Sequence, residues 1–322
     1  MAGIMRERFV DVATELLGTH GRLAVVTADL SAALFDQART LYPDRVINLG
    51  IREQLLISVA GGLSLAGIRP IAHSFAPFLI ERPFEQIKLD LSHQHGGAVL
   101  VSAGASYDIA GGGRTHQSPG DVALLSTLPG WTVHVPGHPD EAEAQLREAV
   151  AEDGLVYIRL SNQANQRPYG LARDAGDHRF RVLRQGGSAV VIAVGPLADA
   201  VLAATEGLGV TVLYGSTVRP FDAATLRGVL AVHHEASVVM VEPYLAGTSA
   251  AEIADALRDL PHRVLGLGVG REELRHYGTP RQHAIAHGLD RAGLRRTITS
   301  FLCDASRAGR ATAIRAVTGE GS

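Results

Sequence analysis

The sequence predicts an α/β fold made of two consecutive α/β domains. Runs of Val, Ile and Leu alternate with stretches of helical period from one end of the chain to the other. This alternation breaks once, over residues 161–187, which hold Asn, Gln, Pro, Gly and charged side chains and no convincing strand. Fully apolar strands alternating with helices are typical of a mostly parallel sheet covered on both faces. We therefore expect one such sheet on each side of the break.

The elements of the first domain follow from this pattern in order. Strands are expected at the short apolar runs 23–27, 69–72, 98–102, 132–135 and 156–160. Helical patterns lie between them, over residues 52–66, 77–93 and 139–151. The last pattern opens with Pro139, Asp140 and Glu141, a proline suited to the first helical turn followed by acids that the helix dipole favours.

The second domain repeats the alternation on a smaller scale. Strands are expected at 189–194, 210–214, 238–241 and 263–266, and helices at 197–206, 223–230 and 248–257. The domain boundaries predicted from these patterns are residues 1–162 for the first domain, 163–187 for a linker and 188–303 for the second domain. Residues 304–322 are rich in Ala, Arg, Gly and Thr and are expected to form a flexible tail.

Composition excludes several classes of protein. In this chain of 322 residues, 46% are hydrophobic and 20% charged, a globular balance rather than a disordered one. The net charge of −3 gives no sign of a nucleic-acid or membrane-surface partner. Cys303 is the single cysteine, which excludes an internal disulfide and a Cys-rich metal site and fits a reducing compartment. The charged N-terminus does not resemble a secretory signal, so we expect a cytoplasmic protein.

The most informative stretch for function runs from Asn48 to Leu55. A short strand ends here at Gly50 and turns into a helix whose first turn holds Arg52 and Glu53. Ligands bind at such carboxyl ends of strands in open α/β sheets. The alternative interpretation is structural, because the helix dipole favours a glutamate in the first turn of any helix. A carboxylate opening an apolar helix would be half desolvated, which favours sharing a proton.

Two further stretches hold candidate site residues. Residues 111–113 are three glycines, which allow close approach of the backbone to a ligand, and His116 follows them on a loop. Phe75 and Phe78 lie three apart after a strand, in a chain with only 5% aromatic residues. By themselves, a loop histidine and an aromatic pair are more often structural than functional.

Together, these motifs resemble one family in their order and spacing. The matching stretches are Ala28-Asp29-Leu30, Gly50-Ile51-Arg52-Glu53, Ser74–Phe78, Thr115-His116-Gln117 followed by Asp121, Leu128-Pro129, Pro136, Val241-Glu242, Gly278-Thr279-Pro280 and His287-Gly288-Leu289-Asp290. The chain resembles the transketolase family, which includes deoxyxylulose-phosphate synthase, over residues 4–302. The resemblance implies a pyrimidine-type thiamine diphosphate-binding domain followed by a smaller transketolase C-terminal domain.

The resemblance also implies a role for each matching residue. Glu53 would hydrogen-bond the pyrimidine ring nitrogen of thiamine diphosphate and trigger loss of the thiazolium proton. Phe75 and Phe78 would pack on the pyrimidine, and Asp29 and Leu30 would lie beside the cofactor. His116 would face the substrate oxygens as a donor or proton shuttle. Arg6 and Arg114 are further candidates for substrate binding.

The family's diphosphate-binding half is not found in this sequence. In the family a Gly-Asp-Gly sequence and a later Asn bind the diphosphate through Mg²⁺, and neither Gly120-Asp121-Val122 nor Gly176-Asp177-His178 fits that pattern. The resemblance therefore implies that this chain provides no metal ligand and works with a separate N-terminal, Mg²⁺-binding subunit, in an α2β2 heterotetramer. The chain alone should bind no thiamine diphosphate tightly.

Three other functions fit the sequence less well. The β subunit of a 2-oxo acid dehydrogenase shares the architecture, but Gly-Ile-Arg-Glu and Thr-His-Gln favour a transketolase. A catalytically silent assembly or regulatory subunit has no need of Glu53. A nucleotide-binding module would need a strand–Gly-x-Gly-x-x-Gly–helix unit, which this sequence lacks.

Departures from the family pattern concern the substrate. Positions that hold phosphate- and sugar-binding residues in transketolases are occupied here, by ungapped counting, by Ala33, Gly104, Gly112 and Asn162. We therefore expect a substrate that is not an ordinary sugar phosphate bound in the usual way, unless Arg114 or Arg159 takes over the phosphate.

Overall fold

The computed structural model describes residues 4–171, 176–233 and 235–318 and contains two sheets. The strands, numbered in chain order, are β1 Leu23–Thr27, β2 Val46–Asn48, β3 Arg69–Phe75, β4 Val99–Ala103, β5 Trp131–His134, β6 Leu155–Arg159, β7 Arg181–Arg184, β8 Val190–Val194, β9 Thr211–Gly215, β10 Thr217–Arg219, β11 Ala236–Leu245 and β12 His262–Val269.

The first sheet has seven strands in the order β10-β5-β6-β4-β3-β1-β2. All its pairings are parallel except the antiparallel pairing of β10 with β5. The second sheet has five strands in the order β12-β11-β8-β9-β7, and only β7 runs antiparallel to its neighbour. The two mostly parallel α/β domains predicted from the sequence are thus confirmed.

Helices cover these sheets. In the first domain they are Ile4–Thr19, Ala32–Phe35, Asp36–Leu41, Glu53–Leu65, Pro77–Glu81, Phe84–Gln86, Ile87–His93, Ala110–Gly112, Arg114–His116, Asp121–Leu125 and Pro139–Ala151. In the second domain they are Gly195–Leu197, Ala198–Ala204, Ala223–Leu230, Ala250–Ala256, Pro280–Ala286 and Arg291–Thr318. Within the described ranges, no helix has the length and apolar character needed to cross a membrane.

The segment 77–93, predicted as one helix, is divided in the structure. Pro77–Glu81 and Ile87–His93 are π-helical and flank a short α-helical piece, Phe84–Gln86. Pro83 lies between the first two pieces, and a proline has no N–H with which to continue a helical ladder. π-Helical turns are often found at functional sites.

The prediction that residues 163–187 form a linker without a strand is wrong for its last part. Arg181–Arg184 form an edge strand that pairs antiparallel with β9, and three of its four residues are only half-buried. An edge strand of this kind lacks the apolar run that marks the buried strands. Residues 172–175 of the predicted linker lie outside the described residues.

The tail expected to be flexible from residue 304 continues the final helix as far as Thr318. Ala and Arg are strong helix formers, so its composition is compatible with a helix. Residues 319–322 of that prediction lie outside the described part of the chain.

The two domains share an extensive contact. Strand β10 follows the second domain's β9 in the chain but pairs with β5 of the first sheet. The buried carboxylate of Glu141 accepts hydrogen bonds from the Gly137, Tyr169 and Gly170 N–H groups and from the Tyr214 hydroxyl, at 2.6–2.8 Å. Because Tyr214 lies on β9 of the second domain and Glu141 on a helix of the first, this carboxylate links the two domains.

Candidate active site

Glu53 begins the helix Glu53–Leu65, directly after β2 and the turn at Gly50. Gly50 has φ 69°, a conformation that favours glycine, and this turn directs the helix back across the sheet. The residue is only 2% exposed, so its carboxylate is more completely buried than the sequence suggested. Such a buried acid requires a partner.

Arg82 is that partner, and sequence analysis did not find it. Its Nη1 donates a hydrogen bond to Oε2 of Glu53 at 2.7 Å. The same guanidinium lies over the Phe78 ring, with Cζ 4.1 Å from the ring centroid. The only signal in the sequence is the spacing of four residues between Phe78 and Arg82, which brings the two together on one helical turn.

Phe75, Phe78 and His116 form one cluster of half-buried rings. The Phe75 and Phe78 centroids are 6.2 Å apart, and that of His116 lies 5.9 Å from Phe75 and 5.2 Å from Phe78. All three pairs are edge-to-face, a favourable aromatic geometry. The structure therefore joins Glu53, through Arg82 and Phe78, to both aromatic residues and to His116.

The glycines before His116 leave room for the protein's own side chains. A Cβ at Gly112 would lie 2.8 Å from Cγ of His116, too close for any side chain without a shift. A Cβ at Gly113 would lie 2.7 Å from Cε1 of Tyr277, which reaches this loop from the second domain. The triple glycine therefore lets His116 fold back over the loop and lets the second domain pack against it.

Asp29 and Leu30 lie at the carboxyl end of β1, as expected. Asp29 has φ 62°, and its backbone N–H and carboxylate both bond to the Asn48 side chain, at 3.0 and 2.9 Å. This corner of β1 and β2 neighbours the turn at Gly50 but is separate from the ring cluster. Asp29 is therefore held in place by its hydrogen bonds to Asn48.

The two arginines expected to bind substrate lie in different places. Arg6, on Ile4–Thr19, lies near His73, and its Nε is buried without a hydrogen-bond partner. Burial lowers the pKa of His73 to about 4, and the Arg6 charge adds to that effect. Arg114 instead lines a cleft of about 240 Å³ between the domains, together with Glu81 and Arg271.

A buried network lies behind the His116 loop. Arg159 donates hydrogen bonds to Asp121 at 2.7 Å, to the Ser106 hydroxyl at 2.7 Å and to the Ser118 carbonyl at 3.2 Å. Ser106 in turn bonds the Pro243 carbonyl of the second domain. Because its guanidinium is fully buried and committed, Arg159 does not face a substrate, contrary to one expectation from the sequence.

The group of side chains fits the pyrimidine end of thiamine diphosphate. A buried carboxyl group can share a proton with a ring nitrogen in a hydrogen bond, and a pair of phenylalanines can pack on a flat heterocycle. No group of three or more His, Cys, Asp or Glu residues that could hold a metal ion occurs among the described residues. The carboxyl group and the aromatic pair therefore suit a pyrimidine ring.

Comparisons with known proteins agree with this geometry. Residues 4–167 match the model of the transketolase pyrimidine-binding domain, and residues 178–293 match that of the transketolase C-terminal domain. A 33.6 kDa protein of the fasciation locus of Rhodococcoides fascians, described as uncharacterized, is 51% identical over 89% of this chain and 91% of its own length.

Two further relatives carry more specific descriptions. A 6-deoxy-6-sulfo-D-fructose transketolase subunit of Clostridium sp. strain MSTE9 is 32% identical over 82% of this chain and 84% of its own length. A split-gene transketolase, solved as an inactive β4 tetramer, is 27% identical and superposes with a TM-score of 0.78 over 93% of this chain and 98% of its own. The chain therefore belongs to the transketolase family and comprises its pyrimidine-binding and C-terminal domains.

Proposed function

We propose that this chain is the C-terminal subunit of a two-component, thiamine diphosphate-dependent transketolase that transfers a two-carbon ketol unit. The observation that carries the proposal is the buried carboxylate of Glu53 beside the Phe75–Phe78–His116 cluster. Stability alone does not call for an acid at this site, because the ion pair with Arg82 mainly offsets the cost of burying the carboxylate. A relative described as a transketolase subunit, with 84% of its own length matched, supports the two-component form.

The roles proposed for the chain's residues follow from their chemistry. Thiamine diphosphate, when bound, supplies the carbon nucleophile that attacks a ketose and holds the two-carbon fragment. Glu53 would hydrogen-bond the pyrimidine ring nitrogen and share a proton with it. Phe75 and Phe78 would exclude water and orient the ring, and Asp29 and Leu30 would line the cofactor's edge. His116, half-buried against both phenylalanines, would donate to or accept from substrate oxygens.

The remaining parts of the site would come from a partner. We propose that an N-terminal, diphosphate-binding subunit holds the diphosphate and Mg²⁺, and that two copies of each chain form the active assembly. In such sites Mg²⁺ is usually held by one or two carboxylates together with phosphate oxygens. Neither Gly120-Asp121-Val122 nor Gly176-Asp177-His178 matches the Gly-Asp-Gly pattern that supplies them in the family. The β4 tetramer of the split-gene relative is described as inactive, as expected for a subunit without its partner.

The proposed substrate is a ketose or aldose whose binding does not depend on the phosphate-binding residues usual in transketolases. Gly112 has no room for a side chain beneath His116, and a Cβ at Gly104 would overlap the Ile109 side chain. The Ser161 hydroxyl donates a hydrogen bond to the buried Asp108 carboxylate, and the backbone N–H of Asn162 donates to the same carboxylate oxygen. Arg159, on β6, is committed to Asp121. Arg114, on the His116 loop, lines the cleft between the domains beside Arg271 and could meet an anionic group there.

Isothermal titration with thiamine diphosphate and Mg²⁺ tests the proposal. The purified chain alone should bind the cofactor weakly, whereas its complex with an N-terminal transketolase subunit from the same organism should bind it tightly and transfer two-carbon units between sugars. A complex that binds the cofactor but releases a 2-oxo acid's carbon dioxide would instead support a 2-oxo acid dehydrogenase. Tight Mg²⁺-dependent binding by the chain alone would refute the divided site.

A further inference from the structure

Arg82 makes two contacts at once, and both are made with groups that the proposed cofactor also needs. Its Nη1 is 2.7 Å from Oε2 of Glu53, and its Cζ is 4.1 Å from the centroid of the Phe78 ring. The Arg82 side chain is 39% exposed, whereas Glu53 is only 2% exposed. The arginine therefore reaches inward from the surface to a buried acid across an aromatic face.

The chemistry of a guanidinium explains why these contacts resemble those of an aminopyrimidine. Both groups are flat, both carry N–H donors on a conjugated amidine edge, and both can stack on an aromatic ring. A carboxylate and a phenylalanine ring placed together form a receptor for either group. The same oxygen of Glu53 can accept from Arg82 or from a protonated ring nitrogen, and two cationic donors on one buried carboxylate would repel each other.

We propose that Arg82 is a placeholder in the pyrimidine subsite, and that the aminopyrimidine of thiamine diphosphate must displace it from Glu53 and Phe78 to bind. This inference rests on the proposed function. Displacement is feasible because the arginine is partly exposed and can turn its charge into solvent, while Glu53 cannot.

A placeholder serves a subunit that has to fold before it meets its partner. A buried carboxylate left unpaired is strongly destabilising, and Arg82 supplies the pairing from within the chain. The cost appears as weaker cofactor binding, since the apparent dissociation constant equals the intrinsic one divided by the fraction of sites that Arg82 leaves free. Arg82 thus stabilises the free subunit at the expense of cofactor affinity.

Cofactor titration of the two-subunit complex tests this competition, because the inference fixes the direction in which the dissociation constant changes when Arg82 is replaced. Arg82→Gln should lower the dissociation constant for thiamine diphosphate about tenfold if Arg82 occupies nine-tenths of the sites. Arg82→Lys keeps the charge but loses the flat group that stacks on Phe78, so it should lower the constant by a smaller factor. The control for loss of charge is Arg258→Gln, which removes an exposed arginine paired with Asp255 and should leave cofactor binding unchanged.

A second measurement needs no cofactor. In urea unfolding of the chain alone, Arg82→Gln should be destabilising, and much of that loss should disappear in an Arg82→Gln, Glu53→Gln double variant, because no buried carboxylate is then left unpaired. Additive effects of the two substitutions would show that the ion pair contributes nothing and would overturn the inference.

Cofactor binding that is unchanged or weaker in Arg82→Gln would likewise overturn the inference while leaving the proposed function intact. If Arg82→Gln does not fold, the sign of the Arg82→Lys change decides in the same way. A wild-type complex that binds no thiamine diphosphate would refute the proposed function itself, and the inference with it.

Discussion

Arg159 and Asp121 form an ion pair inside the first domain, with Nε 2.7 Å from a carboxylate oxygen and exposed fractions of 1% and 0%. The Tyr157 hydroxyl donates to the same carboxylate oxygen at 2.7 Å. Arg159 also donates a hydrogen bond to the Ser106 hydroxyl, which in turn donates to the Pro243 carbonyl of the second domain. The pair thus lies beneath the His116 loop and at the junction of the domains.

Asp121→Ala should lower the free energy of unfolding by about 3–5 kcal/mol, because it leaves the Arg159 charge buried without a counterion. Urea denaturation followed by circular dichroism measures this change. The matched control is Asp255→Ala, whose partner Arg258 is 79% exposed and whose loss should have little effect. A loss below about 1 kcal/mol for Asp121→Ala would mean that water or a neighbour replaces the carboxylate.

The sequence predicted best those elements that are buried on every side or that begin with residues typical of a helix N-terminus. Leu23–Thr27 and Pro139–Ala151 have the predicted bounds, because one is an unbroken apolar run and the other begins with proline and two acids. Thr217–Arg219 escaped prediction because three residues carry too little periodicity and pair with the other domain's sheet.

At the site, sequence analysis found the residues but not their partners. Glu53, Phe75, Phe78 and His116 lie on motifs that a family preserves in order, so resemblance could identify them. Arg82 was not found, because an arginine is ordinarily solvated and only the folded chain brings it to Glu53. The same reason hid the role of Arg159, since a fully buried arginine is rare.

Gly112→Ala should disturb His116 and lower kcat/KM of the two-subunit enzyme about tenfold or more. The added methyl carbon would lie 2.8 Å from Cγ of His116, so the imidazole would have to move. Gly111→Ala is the matched control, because nothing lies within 4 Å of its Cβ position. Equal activity of the two variants would show that His116 needs no fixed position.

Glu53→Gln should leave fold and assembly intact but slow proton–deuterium exchange at the cofactor's reactive carbon by about a hundredfold or more. Glutamine is nearly isosteric with glutamate, yet it cannot share a proton with the pyrimidine. Exchange in the two-subunit complex, followed by NMR after acid quench, measures this step directly. The control is Glu85→Gln, which changes an exposed acid on the separate helix Phe84–Gln86 and should exchange at the wild-type rate. An unchanged rate in Glu53→Gln would return this acid to a purely structural role at the helix start.

Deprotonation of Glu242 should lower the free energy of unfolding as the pH rises from about 4.5 to about 7. Burial raises its pKa from 4.5 to about 7, although Arg219 and the Ser249 N–H favour the charged form. A raised folded-state pKa contributes stability that is complete below the unfolded pKa and is lost as the pH passes the folded one. Tyr244 and Arg219 lie beside this carboxyl, and Arg219 also pairs with Glu252 at 2.7 Å.

The wild-type pH profile alone would not isolate Glu242. Burial lowers the pKa of His73 to about 4 and of His134 to about 3, so both histidines make stability rise with pH up to about 6.5. The difference between Glu242→Gln and wild type removes their contribution. Glu242→Gln should gain up to about 3 kcal/mol relative to wild type between pH 5 and pH 8. A constant difference across that range would mean that Glu242 keeps one protonation state.

The last prediction concerns the substrate's charge. Each lost charge-assisted contact to a phosphate removes about 1.5–3 kcal/mol of binding, so losing several should weaken phosphate recognition by orders of magnitude. The structure strengthens the expectation, because no side chain fits at Gly104 or Gly112 as the loop is folded and Arg159 is fully committed to Asp121. Arg114, which lines the cleft between the domains together with Arg271, is the arginine expected to compensate.

We therefore expect kcat/KM of the two-subunit enzyme to be similar for matched phosphorylated and unphosphorylated sugars, or higher for the unphosphorylated ones. Arg114→Gln separates the two explanations, because it should leave neutral sugars unaffected and would abolish a phosphate preference that depends on this arginine. A preference of about a hundredfold or more for the phosphorylated sugar, retained in Arg114→Gln, corresponds to about 2.7 kcal/mol of recognition. It would place the phosphate site on Arg271 of the same cleft or on the partner subunit. Either result would contradict the prediction, since the departures at Ala33, Gly104, Gly112 and Asn162 would then have no bearing on the substrate's charge.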